Sequence, residues 1–242
     1  MEIRKKIIPF IFLFFCQSVF PQYFGANTSI SVNTIFNTGA RLYPNTSADD
    51  NFTRNDYTYL ENFLSYSVEL KRQLTENIFL GISFERIKVS RAARTVEAVT
   101  SSGLQQISVD EGFTAYPVEF SLYYILPVSN ENFLLYIGGG AGYYSGEEIR
   151  NIGDSGIDSR VKNFAWGIQV QTGLEYMINE YFSVKGEMRF RDPEFEMSNK
   201  YEKTVINYNN QIIRLNEKTY DSKVNIDGIS FMAGIIYHFN IL

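Results

Sequence analysis

Apolar and polar residues alternate with a period of two along eight stretches of the chain, and helical periodicity is weak throughout. The alternation predicts strands over residues 28–36, 60–72, 78–89, 113–126, 133–144, 161–177, 181–191 and 226–239. In the sixth, Phe164, Trp166, Ile168, Val170, Leu174 and Tyr176 share one face, while Ala165, Gly167, Gln169, Gln171, Gly173 and Glu175 share the other. Such a strand separates two environments. The seventh sets Phe182, Val184, Met188 and Phe190 against Ser183, Lys185, Glu187, Arg189 and Arg191. Charges at alternate positions cannot face lipid.

The connections alternate in length. Residues 37–59, 90–112, 145–160 and 192–225 form long stretches rich in Asn, Asp, Ser and Gly, whereas the chain turns within a few residues near 75–77, 128–132 and 178–180. Up-and-down strands with all short turns at one end follow from this, and the even strand number brings both ends of the barrel to the same side. Residues 95–99 and 104–109 flank Ser101-Ser102-Gly103, and residues 204–206 and 211–215 flank Asn209-Asn210, so both pairs are expected to project as hairpins. Were the second pair to cross the membrane the barrel would have ten strands; Lys203, Arg214 and Glu217 speak against that. The predicted fold class is therefore all-β: an eight-stranded antiparallel up-and-down transmembrane β-barrel with long outer loops.

Alternation alone fits a membrane barrel with its apolar face outward or a soluble lipocalin-like barrel with that face inward. Size decides between them, because eight strands enclose an interior just wide enough for side chains or one small ligand. The less apolar face carries Gly138, Gly140, Gly142, Gly167, Gly173, Gly228, Ser230 and Gly234, which suit a crowded lumen. The other carries Phe120, Leu122, Tyr124, Trp166, Ile229, Phe231 and Ile235, which would overfill it. Tyrosines gather near strand ends, at Tyr57, Tyr59, Tyr116, Tyr143, Tyr144, Tyr176, Tyr181 and Tyr237, where aromatic girdles sit.

Composition agrees. Seventeen Tyr and 20 Phe among 242 residues favour sheet, and a net charge of −5 without a basic cluster beyond the N-terminus argues against nucleic acid. Residues 1–22 read as a signal peptide, with Arg4-Lys5-Lys6 ahead of an apolar run over 7–15, which leaves residues 23–242 as the barrel domain. Cleavage is expected between Gln17 and Ala26. Cys16, the only cysteine, would leave with the leader, and Phe15 before it does not suit a lipoprotein site.

The strand Tyr136-Ile137-Gly138-Gly139-Gly140-Ala141-Gly142-Tyr143, the strand end Gly173-Leu174-Glu175-Tyr176 and the last strand over residues 233–239 resemble the small outer-membrane β-barrel family, in the broad sense of OmpA-type, OmpX-type and OmpW-type barrels. The resemblance implies the outer membrane of a double-membraned bacterium, contact with outer-membrane lipid, and a monomer. It also implies a terminal aromatic read by the barrel assembly machinery, here Phe239, with the departure that Asn240-Ile241-Leu242 follow it. Because the likeness is architectural, it does not fix a function.

Strand parity points Glu85, Glu119, Lys185, Glu187, Arg189 and Arg191 into the lumen as a charge network. Unpaired buried charges cost several kcal/mol, so these should pair and lock the interior; rearranging pairs along an ion path are the other reading. His238 is the only histidine and sits at the periplasmic edge, which gives no expectation of catalysis. No cofactor or metal site is expected; calcium at Asp49-Asp50, Asp56, Asp154, Asp158 and Asp221 is a weaker reading than hydrated acidic loops. The expected role is structural or one of surface interaction, with the projecting hairpins meeting a surface protein or a host-type ligand by β-augmentation. A narrow channel for ions or small solutes is the alternative, an exported lipocalin-like carrier a lower one.

Overall fold

The computed structural model describes residues 26–241, apart from 101–102, 164, 209–210 and 216–217. The expected signal segment and Cys16 lie outside the described residues. Eight strands close on themselves: β1 (Thr28–Tyr43), β2 (Thr58–Thr75), β3 (Ile78–Thr100), β5 (Val118–Ile125), β6 (Phe133–Tyr144), β9 (Ala165–Met177), β10 (Phe182–Arg191) and β15 (Gly228–Phe239). All pairs are antiparallel neighbours, and the ring shuts where Thr28 of the first stave meets Phe239 of the last.

The staves run further than the alternation predicted, because much of each long connection is strand. β4 (Gly103–Ala115), β7 (Gly146–Asn151), β11 (Glu194–Tyr201) and β14 (Thr219–Asn225) prolong four of the staves beyond short breaks, and β8 (Ile157–Asn163) lies just ahead of β9. Pro117 and Pro193 mark two breaks, where a missing N–H interrupts the ladder while the carbonyl still accepts, from Glu85 N at 3.0 Å and from Ile226 N at 3.0 Å. Between β1 and β2 the register skips Thr38 and Asn62, and Asn62 adopts φ 54°. The remaining connections hold the five-residue helix α1 (Asn51–Asn55), capped by Asp50, and a hairpin of β12 (Val205–Tyr208) and β13 (Gln211–Arg214). That hairpin joins the β3 ladder through a single backbone pair, Ile213 with Thr100, so it does not span, and the barrel has eight strands.

The breaks ring the barrel at a waist where residue character inverts. Along β10 and β11, positions 183, 185, 187, 189, 191, 193, 195, 197 and 199 all point inward, so the phase is unchanged. Their chemistry is not. Below the waist the inward residues are Ser183, Lys185, Glu187, Arg189 and Arg191; above it come Pro193, Phe195 and Met197. Outward, Phe182, Val184, Met188 and Phe190 give way to Asp192, Glu194 and Glu196. β15 and β14 repeat the exchange, with Ile229 and Phe231 below and Asp227 and Asn225 above. The interior is thus polar just below the waist and apolar just above it, as it must be where solvent replaces lipid as the outer medium, before polar residues such as Asn199 return higher up.

Along β15 the apolar belt runs from Ile229 to Phe239, about 33 Å of strand at about 3.3 Å per residue. Tilted by about 40°, that spans about 25 Å, the height of a lipid-facing band. Aromatic pairs stand at both rims: Tyr143 and Trp166 at the waist (5.7 Å), Phe133 with Tyr176 (4.8 Å) and Phe182 with Tyr237 (5.3 Å) at the turn end. Trp166 is 73% exposed and Phe231 50%, so the bulky face looks outward and the soluble arrangement is excluded.

Candidate functional site

Inside the belt the six predicted lumen residues are all buried and come together in two layers. In the upper layer Arg191 donates through Nη1 and Nη2 to Glu85 (2.7 and 2.9 Å), through Nη1 to Glu119 (3.0 Å) and through Nη2 to Asn37 (3.2 Å). Arg189 donates to Glu119 and stands 3.6 Å from Glu85. Two carboxylates face two guanidiniums, so the layer is neutral. Ser65 and Tyr144 donate to Glu85 and Glu119, each at 2.6 Å.

In the lower layer Lys185 donates to Glu69 at 2.6 Å and lies 3.8 Å from Glu187. Tyr136 donates to Glu187 at 2.9 Å, and Tyr123 donates to Glu69. The Lys71 ammonium sits over the rings of Tyr123 (4.0 Å) and Tyr136 (4.6 Å). Glu69 and Lys71 belong to this network although the sequence reading passed over them; their inward parity in β2 was the available signal.

The periplasmic mouth contains a cavity of about 30 Å³ beside Lys71, Glu175 and His238. Here the fold also assembles a cluster that was not foreseen, because Ser183 and Glu175 lie across a short turn from each other and His238 reaches them from β15. Ser183 Oγ is 2.8 Å from His238 Nε2 and donates to Glu175 Oε1 at 2.5 Å, while His238 Nε2 is 3.1 Å from that same oxygen. In a nucleophilic triad the hydroxyl and the carboxylate engage opposite imidazole nitrogens. Here both meet Nε2, and Ser183 is fully buried.

Above the waist the inward residues form an apolar layer that includes Leu60, Ile87, Phe113, Phe195, Met197 and Val224. A third polar layer rests on it. Arg150 donates to Glu111 through Nη2 (2.6 Å) and Nε (3.2 Å), and through Nη1 to the Tyr201 hydroxyl (3.1 Å). Glu111 also accepts from Thr58 at 2.6 Å; Glu148 accepts from Asn199 (2.8 Å) and Tyr220 (3.0 Å). Burial pushes the Glu148 carboxyl up to about 7, and neighbouring Glu111 adds to the rise against the pull of Arg150, Ser222 and Tyr220. A second apolar cluster of Ile107, Val109, Ile152, Tyr201, Ile206, Ile213 and Tyr220 caps this chamber.

Four of the loop carboxylates considered for calcium have other partners. Asp154 pairs with Lys203 (2.8 Å), Asp158 with Arg160 (3.1 Å) and Asp221 with Lys162 (2.7 Å), and Asp50 accepts from Thr53 N (2.8 Å). Among the described residues no group of three His, Cys, Asp or Glu stands ready to hold a metal ion. Asp154 also accepts from the Asn207 amide at 2.8 Å, which blunts the outer edge of β12.

No protein-family model matches the chain, and no curated protein matches it in sequence. Solved structures do. The outer membrane protein OprG from Pseudomonas aeruginosa superposes with a TM-score of 0.59 at 13% identity, covering 89% of this chain and 97% of OprG. The outer membrane protein AlkL, determined in DMPC bilayers, gives 0.48 at 17% identity over 93% and 94% of the two chains. Neisserial surface protein A gives 0.46 at 13% identity over 88% and 97%. The chain has the fold of the small eight-stranded outer-membrane barrels.

Proposed function

We propose that the chain is a closed, non-catalytic outer-membrane barrel whose rigid exterior makes contacts at the cell surface, folded as a monomer by the barrel assembly machinery. One observation carries this reading: above the cavity at the periplasmic mouth, the described residues fill the interior in successive layers. Two ion-paired layers, an apolar layer, a further polar layer and an apolar cap succeed one another along the axis, which favours a sealed barrel over a narrow channel. The exterior then has a packed core of its own, an investment that a tether for floppy loops would not need.

The contact surface suggested by this arrangement is the crest formed by the β12–β13 hairpin, where Val205 and Ile212 are exposed; Phe52 of α1 is exposed as well. Partners of surface-protein or host-ligand type would meet side chains there, since the Asp154 contact discourages strand addition along β12. The test is Val205→Asp with Ile212→Asp, which leaves the capping core of Ile107 and Val109 untouched. Cell adherence or partner capture should drop at least tenfold with unchanged heat-modifiable gel migration, and unchanged capture by well-folded variants would reject the crest. A planar bilayer containing the protein should stay electrically silent; steady unitary conductance would favour the channel instead.

A further inference from the structure

Two adjacent cations on the outer wall have no partner among the described residues. Arg86 and Lys88 follow Phe84 at successive outward positions of β3, about 7 Å apart, in the first rows above the apolar belt. Other outward cations near the waist are satisfied: Arg41 by Asp227 (2.9 Å), Lys223 by Glu194 (3.1 Å), Lys162 by Asp221 (2.7 Å) and Arg91 by Glu61 (3.7 Å). Arg86 stands opposite Tyr66 of β2, and Lys88 stands opposite Thr114 of β4. The acidic residue in that row, Glu147, lies one strand beyond Thr114, about 10 Å from the β3 backbone.

Two like charges side by side on an acidic chain repel each other, and at a membrane rim the compensating anion can come from the lipid itself. Phe84 lies directly below Arg86 on β3, Val68 stands opposite Phe84 and Leu122 opposite Leu80, and with Tyr66 beside Arg86 they expose an apolar wall. A ligand for this place therefore has an anionic head at the height of Arg86 and Lys88 and long acyl chains beneath it. Because the waist faces the outer leaflet, we propose that Arg86 and Lys88 seat a phosphate of an outer-leaflet phosphorylated glycolipid, with its acyl chains laid against the β2–β3–β5 wall. The seat rests on the orientation of the barrel in the membrane, and it is independent of what the crest contacts.

The test uses the full mature barrel in lipid nanodiscs containing lipid A, dephosphorylated lipid A or phosphatidylglycerol, followed by transfer to mild detergent and counting of retained lipid by native mass spectrometry. Inorganic phosphate alone serves as the soluble probe. Each cation at a membrane surface contributes about 1 kcal/mol, so Arg86→Gln with Lys88→Gln should weaken lipid A retention about 30-fold and either single change about fivefold. Lys162→Gln, on a cation already paired, should leave retention unaltered. The exchange Arg86→Lys with Lys88→Arg keeps both charges and should keep the lipid, which separates loss of charge from a folding defect. Equal lipid A retention by wild type and double variant overturns the proposal. So does equal retention of dephosphorylated lipid A, or binding of phosphatidylglycerol or inorganic phosphate as tight as that of lipid A.

Discussion

Replacing Arg191 by methionine removes the guanidinium that bridges Glu85 and Glu119 while roughly keeping the volume of the side chain. Four hydrogen bonds are lost, to Glu85 twice, Glu119 and Asn37, at 2.7–3.2 Å. Both carboxylates then share Arg189 alone in a space where each is about 1% exposed. Breaking a buried ion pair from one side costs about 3–5 kcal/mol, because a charge is left uncompensated. The folded-to-unfolded ratio should therefore fall by about two to four orders of magnitude. Urea titration of the barrel refolded in lipid vesicles, scored by heat-modifiable migration, reads this directly. Adding Glu85→Gln restores neutrality, so the double variant should recover about 2–3 kcal/mol of the loss, within the usual range for coupled neighbours. A single-variant loss below about 1 kcal/mol, together with a coupling near zero, would mean that water solvates these groups and that the lumen is open.

The exterior should respond to pH through Glu148. Its carboxyl ionises at about 7 in the folded protein and near the ordinary carboxylate value when unfolded, so the folded state holds the proton more tightly. Stability of the exterior is accordingly full below about pH 4.5, falls by up to about 3 kcal/mol as pH rises to about 7, and is flat above; hydrogen exchange in β7, β11 and β14 checks this, and Glu148→Gln should abolish the dependence. Val170→Arg, in the middle of the lipid-facing belt, should cost about 2–4 kcal/mol in refolding titrations, whereas Ile229→Arg at the waist should cost about 0–1 kcal/mol. Gly140→Val should prevent barrel closure, visible as loss of the heat-modifiable band, because a Cβ there would fall 2.8 Å from the Phe120 carbonyl carbon and 2.9 Å from Ser121 Cα.

Much of this architecture was legible because a barrel wall writes a period of two into the chain. Arg189 and Arg191 alternating with Met188 and Phe190 announce a wall between lipid and a polar interior without any knowledge of their partners. What stayed hidden depends on contacts across the ring. Glu85 and Arg191 are 106 residues apart, and nothing local pairs them. The hairpin over 95–109 is legible from its strand propensity and is found in β3 and β4, whereas β7, β11 and β14 look like loops because above the waist their outward residues, such as Glu194, Glu196 and Lys223, are as polar as loop residues, while Phe195, Met197 and Val224 are sparse. Physically the outer medium had changed, and with it the meaning of each face. The Ser183–Glu175–His238 cluster escaped notice because Glu175 and Ser183 become neighbours only through the β9–β10 register.

Orientation of the wall is the claim on which the rest stands, and Trp166, the single tryptophan, reports it without any substitution. In vesicles made with acyl-brominated lipids, its fluorescence should be quenched most strongly by bromine near the headgroup, as expected for a side chain at the upper rim of the belt, with little effect from aqueous iodide. Strong quenching by iodide with indifference to brominated chains would place Trp166 away from lipid and contradict the account.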